Sequence, residues 1–215
     1  WLAGRVTVGP FPQIVHYLQR AHLYYLMTWH TGATLQARLN AGHRFGVTEI
    51  ADIGMHLMKG LGVLHRLAIV HRDIKPDNLH QGSDGKLRIL DLGVAASDGA
   101  AFREINNPGT PSFMAPELFA DGVCSVSSDL YAAGVTLYHL LTGRYPYGEV
   151  EPFQHPKFGE PVPPTRYRPD VPAWLEAILL KACAKEPAQR FETAEEFLLA
   201  LERGQGEELR SSLAR

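Results

Sequence analysis

The chain has 215 residues, 45% hydrophobic and 20% charged, with a formal net charge of -2. That is the make-up of one ordinary globular domain with a sizeable core, and it excludes fibrous and low-complexity chains. No block of basic residues is present, so neither a nucleic-acid nor an anionic-membrane footprint is expected.

Trp1 starts the chain in mid-pattern, and Arg5 is soon followed by Gly9-Pro10, which does not resemble a signal peptide. With no initiator Met, the chain reads as an excised fragment. Ile14 to Trp29 is rich in β-branched and aromatic residues and is interrupted at Gln19-Arg20. It predicts two strands. Gly32-Ala33-Thr34 then reads as a connector. From Thr48 to Leu67, the residues Ile50, Ile53, Leu57, Leu61 and Leu64 recur at intervals of three and four, which predicts an amphipathic helix. Thr48 is the expected N-cap, with Glu49 favourable in the first turn. Gly60 and Gly62 cost helix propensity and point to close packing.

Short apolar pieces follow from Ile69 to Ile89, and Lys86-Leu87-Arg88-Ile89 alternates as a half-buried strand does. Asp129 to Leu141 is nearly apolar all round and predicts a buried helix. It falls short of the roughly 20 apolar residues of a membrane span, and no other stretch comes nearer. Pro152 to Pro172 reads as irregular surface. Ala173 to Ala184 and Thr193 to Leu201 predict two amphipathic helices. Gly204 and Gly206 are expected to end the second, leaving a frayed polar tail. Cys124 and Cys183 lie far apart and suit free thiols in a reducing compartment. The ten histidines lack metal-ligand spacing.

His71-Arg72-Asp73-Ile74-Lys75-Pro76-Asp77-Asn78 matches H-R-D-x-x-x-x-N. Phosphoryl transfer needs a carboxylate to orient the attacking hydroxyl and take its proton, and oxygen ligands for the metal that bridges the phosphates. Asp73 and Asn78 can supply these from one loop, and Lys75 can neutralise charge on the moving group. Asp91-Leu92-Gly93 lies across the alternating strand, where a hairpin would return it beside Asn78. A carboxylate at Asp91 suits Mg²⁺, and Gly93 permits a sharp turn. Alone this tripeptide is a weak signal. Its weight comes from order and separation.

With Gly109-Thr110-Pro111-Ser112-Phe113-Met114-Ala115-Pro116-Glu117, Ser128 to Gly134 and Arg190, these motifs resemble the protein kinase family, from about Pro12 to Leu201. The resemblance is strongest to bacterial serine/threonine kinases. Phe11 to Val15, Leu23 to Trp29, Gly32 to Leu35 and Leu64-His65-Arg66 are also similar to kinases fused to a phosphatase domain. It implies a mainly α fold with small β elements: residues 1–30 as a remnant of the N-terminal lobe with the hinge, 31–203 as the C-terminal lobe, and 204–215 as a polar tail. It implies ATP and Mg²⁺ as cofactors and a protein Ser/Thr hydroxyl as acceptor. Asp73 and Lys75 would be catalytic, and Asn78 and Asp91 metal ligands. Met27 would be the gatekeeper, and Thr28, Trp29 and His30 the hinge against adenine, with His80 under the ring. His71, Arg72, Leu92 and Gly93 would frame the site. Thr110 would pack beside Asp73 and Lys75. Glu117 would be buried and paired with Arg190, and Asp129 would brace the catalytic loop. A cytoplasmic location follows, with a membrane anchor beyond Arg215 left open.

The sequence departs from the family in three places. It contains no glycine-rich phosphate loop, strand lysine or helix glutamate, so this chain alone is expected to transfer phosphate negligibly. His80 stands where the family has an aliphatic residue. Ala96 replaces a second basic residue that would join Arg72 in holding a loop phosphate, with Ser97, Thr110 and Ser112 as the available hydroxyls. Two rival readings stand beside the kinase: a pseudokinase-type scaffold, against which Asp73, Lys75, Asn78 and Asp91 together argue, and a kinase-like small-molecule phosphotransferase, which would lack the Ala115-Pro116-Glu117 segment.

Overall fold

The apolar stripe from Ile50 to Leu64 becomes the inner face of a 20-residue helix, Val47–Arg66. In the computed structural model, which describes residues 6, 9–15, 26–92, 95–97, 111–120, 122–151 and 156–213, all five stripe residues are buried. Their burial contributes on the order of 10 kcal/mol before the opposing chain entropy. The helices in chain order are α1 Leu35–Asn40, α2 Val47–Arg66, α3 Val126–Thr142, α4 Ala173–Ala182 and α5 Ala194–Leu213. The strands are β1 Ile14–Val15, β2 Leu26–Met27, β3 Gly32–Thr34, β4 Ile69–Val70, β5 Leu79–Gly82, β6 Leu87–Ile89 and β7 Ala96–Ser97. The fold is mainly helical with small antiparallel sheets, as expected. Among the described residues no helix is long and apolar enough to cross a membrane.

Helix α2 corrects one expectation. Its N-cap is Gly46, which makes no side-chain cap, and Thr48 lies inside the first turn. Glu49 in that turn offsets the helix dipole. The glycines inside α2 are where packing demands them. A methyl group on Gly60 would overlap Ile89 and Pro10, and one on Gly62 would press on the Glu195 carboxylate.

Helix α3 runs through the middle, buried on most sides. A capping box of Ser125 and Ser128 starts it, and Gly143, with φ of 67°, ends it in the left-handed conformation. It packs on α2 and α4, while α5 lies along α2.

Helix α5 overturns the expected stop at Gly204 and Gly206, since it continues to Leu213. The reason is tertiary. Gly204 fits against the Trp174 indole, where a side chain would collide. Gln205 Nε2 donates to Asp52 Oδ1 at 3.0 Å, and Trp174 Nε1 donates to Glu208 Oε2 at 2.9 Å. These contacts override the poor propensity of two glycines.

The expected connector at residues 32–34 is instead strand β3, in a sheet of order β3-β5-β6. Gly32, with φ of 137°, lies so close to the Gln81 backbone that no Cβ would fit. Thr34 then caps α1 by accepting from Ala37 N at 3.1 Å. The two strands expected between residues 14 and 29 are the pair β1 and β2. The expected break at Gln19-Arg20 lies outside the described residues.

Candidate active site

The loop between β4 and β5 carries the first motif, and α3 holds it in place. Asp129, one turn into α3, is 1% exposed. Its Oδ2 accepts from His71 N at 2.7 Å and His65 Nε2 at 3.0 Å, and its Oδ1 accepts from Arg72 N at 2.9 Å. Arg72 can then keep a φ of 72°, a conformation that costs a non-glycine residue about 1–3 kcal/mol.

His71 is fully buried and joins the two halves of the site. Its Nε2 donates to Leu90 O at 2.9 Å, and its Nδ1 accepts from Asp73 N at 3.3 Å, which assigns the Nε2–H tautomer. Leu90 N donates to Asn78 O at 2.8 Å. The residue before Asp91 is therefore bonded to both ends of the catalytic loop, and Asp91 follows with φ of 58°. The hairpin of β5 and β6 makes this return, as the alternating pattern predicted.

Asn78 donates from Nδ2 to both Asp73 O and Asp73 Oδ2, each at 2.8 Å. With the amide nitrogen so engaged, its side-chain oxygen is left as an acceptor. Lys75 Nζ lies 2.9 Å from Asp73 Oδ2. Asp73, Lys75 and Asn78 thus form one cluster, and Asp91, the residue after Leu90, is exposed. Leu92 packs against the main core, and Gly93 lies outside the described residues.

The strand pair β1 and β2 leads into residues 28–30, the expected hinge. Met27 is about half exposed and Trp29 is 89% exposed. Thr28 N donates to Gln13 O at 3.0 Å, and Thr28 Oγ1 lies 3.0 Å from His30 Nε2. His80 on β5 stands opposite Thr34 on one side and Arg88 on the other. Directly opposed residues share a sheet face, so the three form a row. His80 Nδ1 is buried without a hydrogen-bond partner. Burial pushes the His80 pKa down, and Arg88 and His30 push it further.

Glu117 and Arg190 meet as expected, in a two-pronged pair at 2.8 and 2.7 Å. The expected burial is corrected: the arginine side chain is fully buried, while the glutamate is 21% exposed. Arg190 also donates to Ala184 O at 2.7 Å and Lys185 O at 2.8 Å, and it stacks on Tyr131. Ser112, expected as an available hydroxyl, is 6% exposed, and its Oγ accepts from Val150 N at 2.9 Å. Ser97 belongs to β7, paired with Ile69 on β4. Thr110 lies outside the described residues.

Two contacts had no sequence signal. His65 gives Asp129 its third bond. The buried thiol of Cys124 touches the Arg72 guanidinium, and its pKa is raised by burial despite that cation.

The chain is similar to known proteins. The family model described as the protein kinase domain matches residues 11–202. A serine/threonine-protein kinase of a Nostoc species, PknA, is 37% identical over 91% of this chain and 36% of its own length. PrkC of Bacillus subtilis is 34% identical over 80% of this chain and 28% of its own length. The chain therefore spans about a third of these relatives. The kinase domain of PknI from Mycobacterium tuberculosis superposes with a TM-score of 0.70 at 27% identity, over 94% of this chain and 75% of that domain. With that match across nearly all of its length, the chain belongs to the protein kinase domain family.

Proposed function

We propose that this domain is the catalytic region of a serine/threonine protein kinase that transfers the γ-phosphoryl group of ATP to protein hydroxyls. The observation that carries the reading is the Asp73–Asn78–Lys75 cluster, with Asp91 tied to it through Leu90. The relatives named serine/threonine-protein kinases support the acceptor class.

Asp73 is the group that orients the acceptor hydroxyl and receives its proton. Asn78 fixes Asp73 from the side, so the carboxylate needs no reorganisation when the acceptor arrives. Lys75 offsets negative charge next to Asp73. Asn78 and Asp91 are the oxygen donors that would hold Mg²⁺. The donor set fits: a carboxylate and an amide oxygen are hard oxygen donors, and Mg²⁺ usually takes only one or two carboxylates and completes its shell with water and phosphate oxygens. When bound, the ion supplies neutralisation of charge on the transferred group.

Residues 26–30 and His80 are assigned to the nucleotide base, with Met27 at the gatekeeper position and Thr28 to His30 as hinge. The partnerless Nδ1 of His80 supports a polar role there. We place the domain in the cytoplasm, where ATP is available, and its two free buried cysteines fit a reducing compartment.

The test compares the full-length protein with Asp73→Asn and Asp91→Asn variants in transfer from labelled ATP to Ser/Thr peptides. Asp73→Asn should lower kcat by about 10²–10⁴-fold with ATP affinity nearly unchanged. Asp91→Asn should weaken Mg²⁺-dependent nucleotide binding. Equal transfer by the parent and Asp73→Asn would reject the assignment. In the same protein, His80→Leu should change the affinity for ATP, and an unchanged affinity would remove His80 from the base site.

A further inference from the structure

A cavity of about 510 Å³ opens between the α1–α2 loop and the carboxyl end of α3, and none of Asp73, Lys75, Asn78 or Asp91 lines it. Beneath it Phe45, Leu140 and Leu141 are nearly fully buried, and the apolar side chains that it exposes are the half-buried Leu39 and the exposed Tyr167. Its rim carries His43, Arg44 and Arg168, and no Asp or Glu lines it. The chain has 23 acidic residues against 21 lysines and arginines, so composition does not account for that one-sided charge.

The three basic side chains differ in what they already hold. His43 is engaged by Glu49 at 2.9 Å. Arg168 is fixed by Asp170 at 2.7 Å and by the carbonyls of Phe45 and Leu141 at 3.3 and 3.0 Å. Arg44 is exposed, and among the described residues it makes no hydrogen bond or ion pair. At the carbonyl end of α3, Arg168 takes Leu141 O, and Gly143 N takes His139 O at 2.7 Å.

We infer that this cavity is a binding site for a small amphipathic carboxylate, with the carboxylate at Arg44 and the apolar body on Leu39 and Tyr167. The volume falls within the roughly 300–1,000 Å³ of small-molecule sites, and an apolar floor with a few polar groups at the edge is their usual make-up. A peptide fits less well. Its backbone N–H and C=O groups would lie on a floor that offers them no partner.

The probe is octanoate, titrated calorimetrically into the 215-residue chain, with octanamide as its uncharged match. Octanoate should bind at one site, at least tenfold tighter than octanamide. Arg44→Glu should weaken it tenfold or more. Gly46→Phe should abolish binding by filling the cavity. The backbone there is extended, and a Cβ on Gly46 meets nothing within 4 Å, so that variant should keep the parent's thermal unfolding midpoint. Absence of saturable binding in the millimolar range would overturn the proposal. So would equal affinity for octanamide, or binding indifferent to Gly46→Phe. Displacement by an acetylated Asp-Leu-Glu-Phe peptide in the absence of any octanoate binding would also overturn it and assign the groove to a protein partner.

Discussion

Replacing Asp129 with Asn should loosen the catalytic loop by a predictable amount. The carboxylate accepts three hydrogen bonds on two oxygens, from His71 N, His65 Nε2 and Arg72 N. An amide offers one oxygen. If it faces His71 N and His65, its NH₂ group confronts Arg72 N; if it faces Arg72 N, the other two donors lose their acceptor. One buried donor without a partner costs about 1–3 kcal/mol. Exchanging charge-assisted bonds for neutral ones costs about 1 kcal/mol more. The sum is about 2–4 kcal/mol for Asn. Ala should cost more, because all three donors lose their partner. Against a domain stability of about 5–15 kcal/mol, the Asn variant should still fold. Urea unfolding reads the loss as a lower midpoint at constant slope, and hydrogen exchange should show the His71 and Arg72 amides losing protection first. A loss below about 1 kcal/mol, with those amides still protected, would refute the claim that α3 braces the loop.

Two glycines two residues apart in α5 should respond with opposite sign. Gly204→Ala should destabilise by about 1–3 kcal/mol because its methyl meets the Trp174 indole, whereas Gly206→Ala, with open space at its Cβ, should stabilise by about 0.5–1 kcal/mol. Thermal unfolding distinguishes the two. Glu117→Ala should cost about 3–5 kcal/mol, because it strips the counter-ion from a fully buried guanidinium; a urea midpoint like the parent's would show that the carbonyls of Ala184 and Lys185 suffice for Arg190. Burial holds His139 below its ordinary value of 6.5, although the Arg144 carbonyl, Glu149 and Asp77 pull the other way. The folded state thus favours the neutral ring. The stability from that preference is complete above 6.5 and declines as pH falls from there toward the folded value. His139→Phe keeps an aromatic ring against Tyr145 and should flatten the slope of urea midpoint against pH in that window. An unchanged slope would assign the acid sensitivity elsewhere, with His80 the next group to test.

The sequence made the site legible wherever its chemistry was local. Eight consecutive residues carry Asp73, Lys75 and Asn78, and the alternation of residues 86–89 announced the hairpin that returns Asp91. The stripe on α2 was legible because helical periodicity repeats over four turns. What escaped depends on partners distant in the chain. Gly204 reads as a helix stop until Trp174 is placed beside it. Residues 32–34 read as a connector until Gln81 and Gly82 supply the ladder. The exposure of Glu117 could not be read from its pairing, because the desolvated member of the pair is the arginine.

The frame of the site and its chemistry are carried by different atoms. Arg72 and Asp91 hold positive φ values, and such strain persists only where surrounding bonds over-determine it. Those bonds come from Asp129 to the His71 and Arg72 amides, and from His71 and Asn78 to the two polar atoms of the Leu90 backbone. None of them uses the carboxylates of Asp73 or Asp91. Neutralising either carboxylate therefore leaves the loop geometry supported, while neutralising Asp129 removes the support and leaves both carboxylates in place. Loss of a chemical group and loss of positioning can thus be separated by experiment: the first should spare hydrogen-exchange protection at His71 and Arg72, and the second should not.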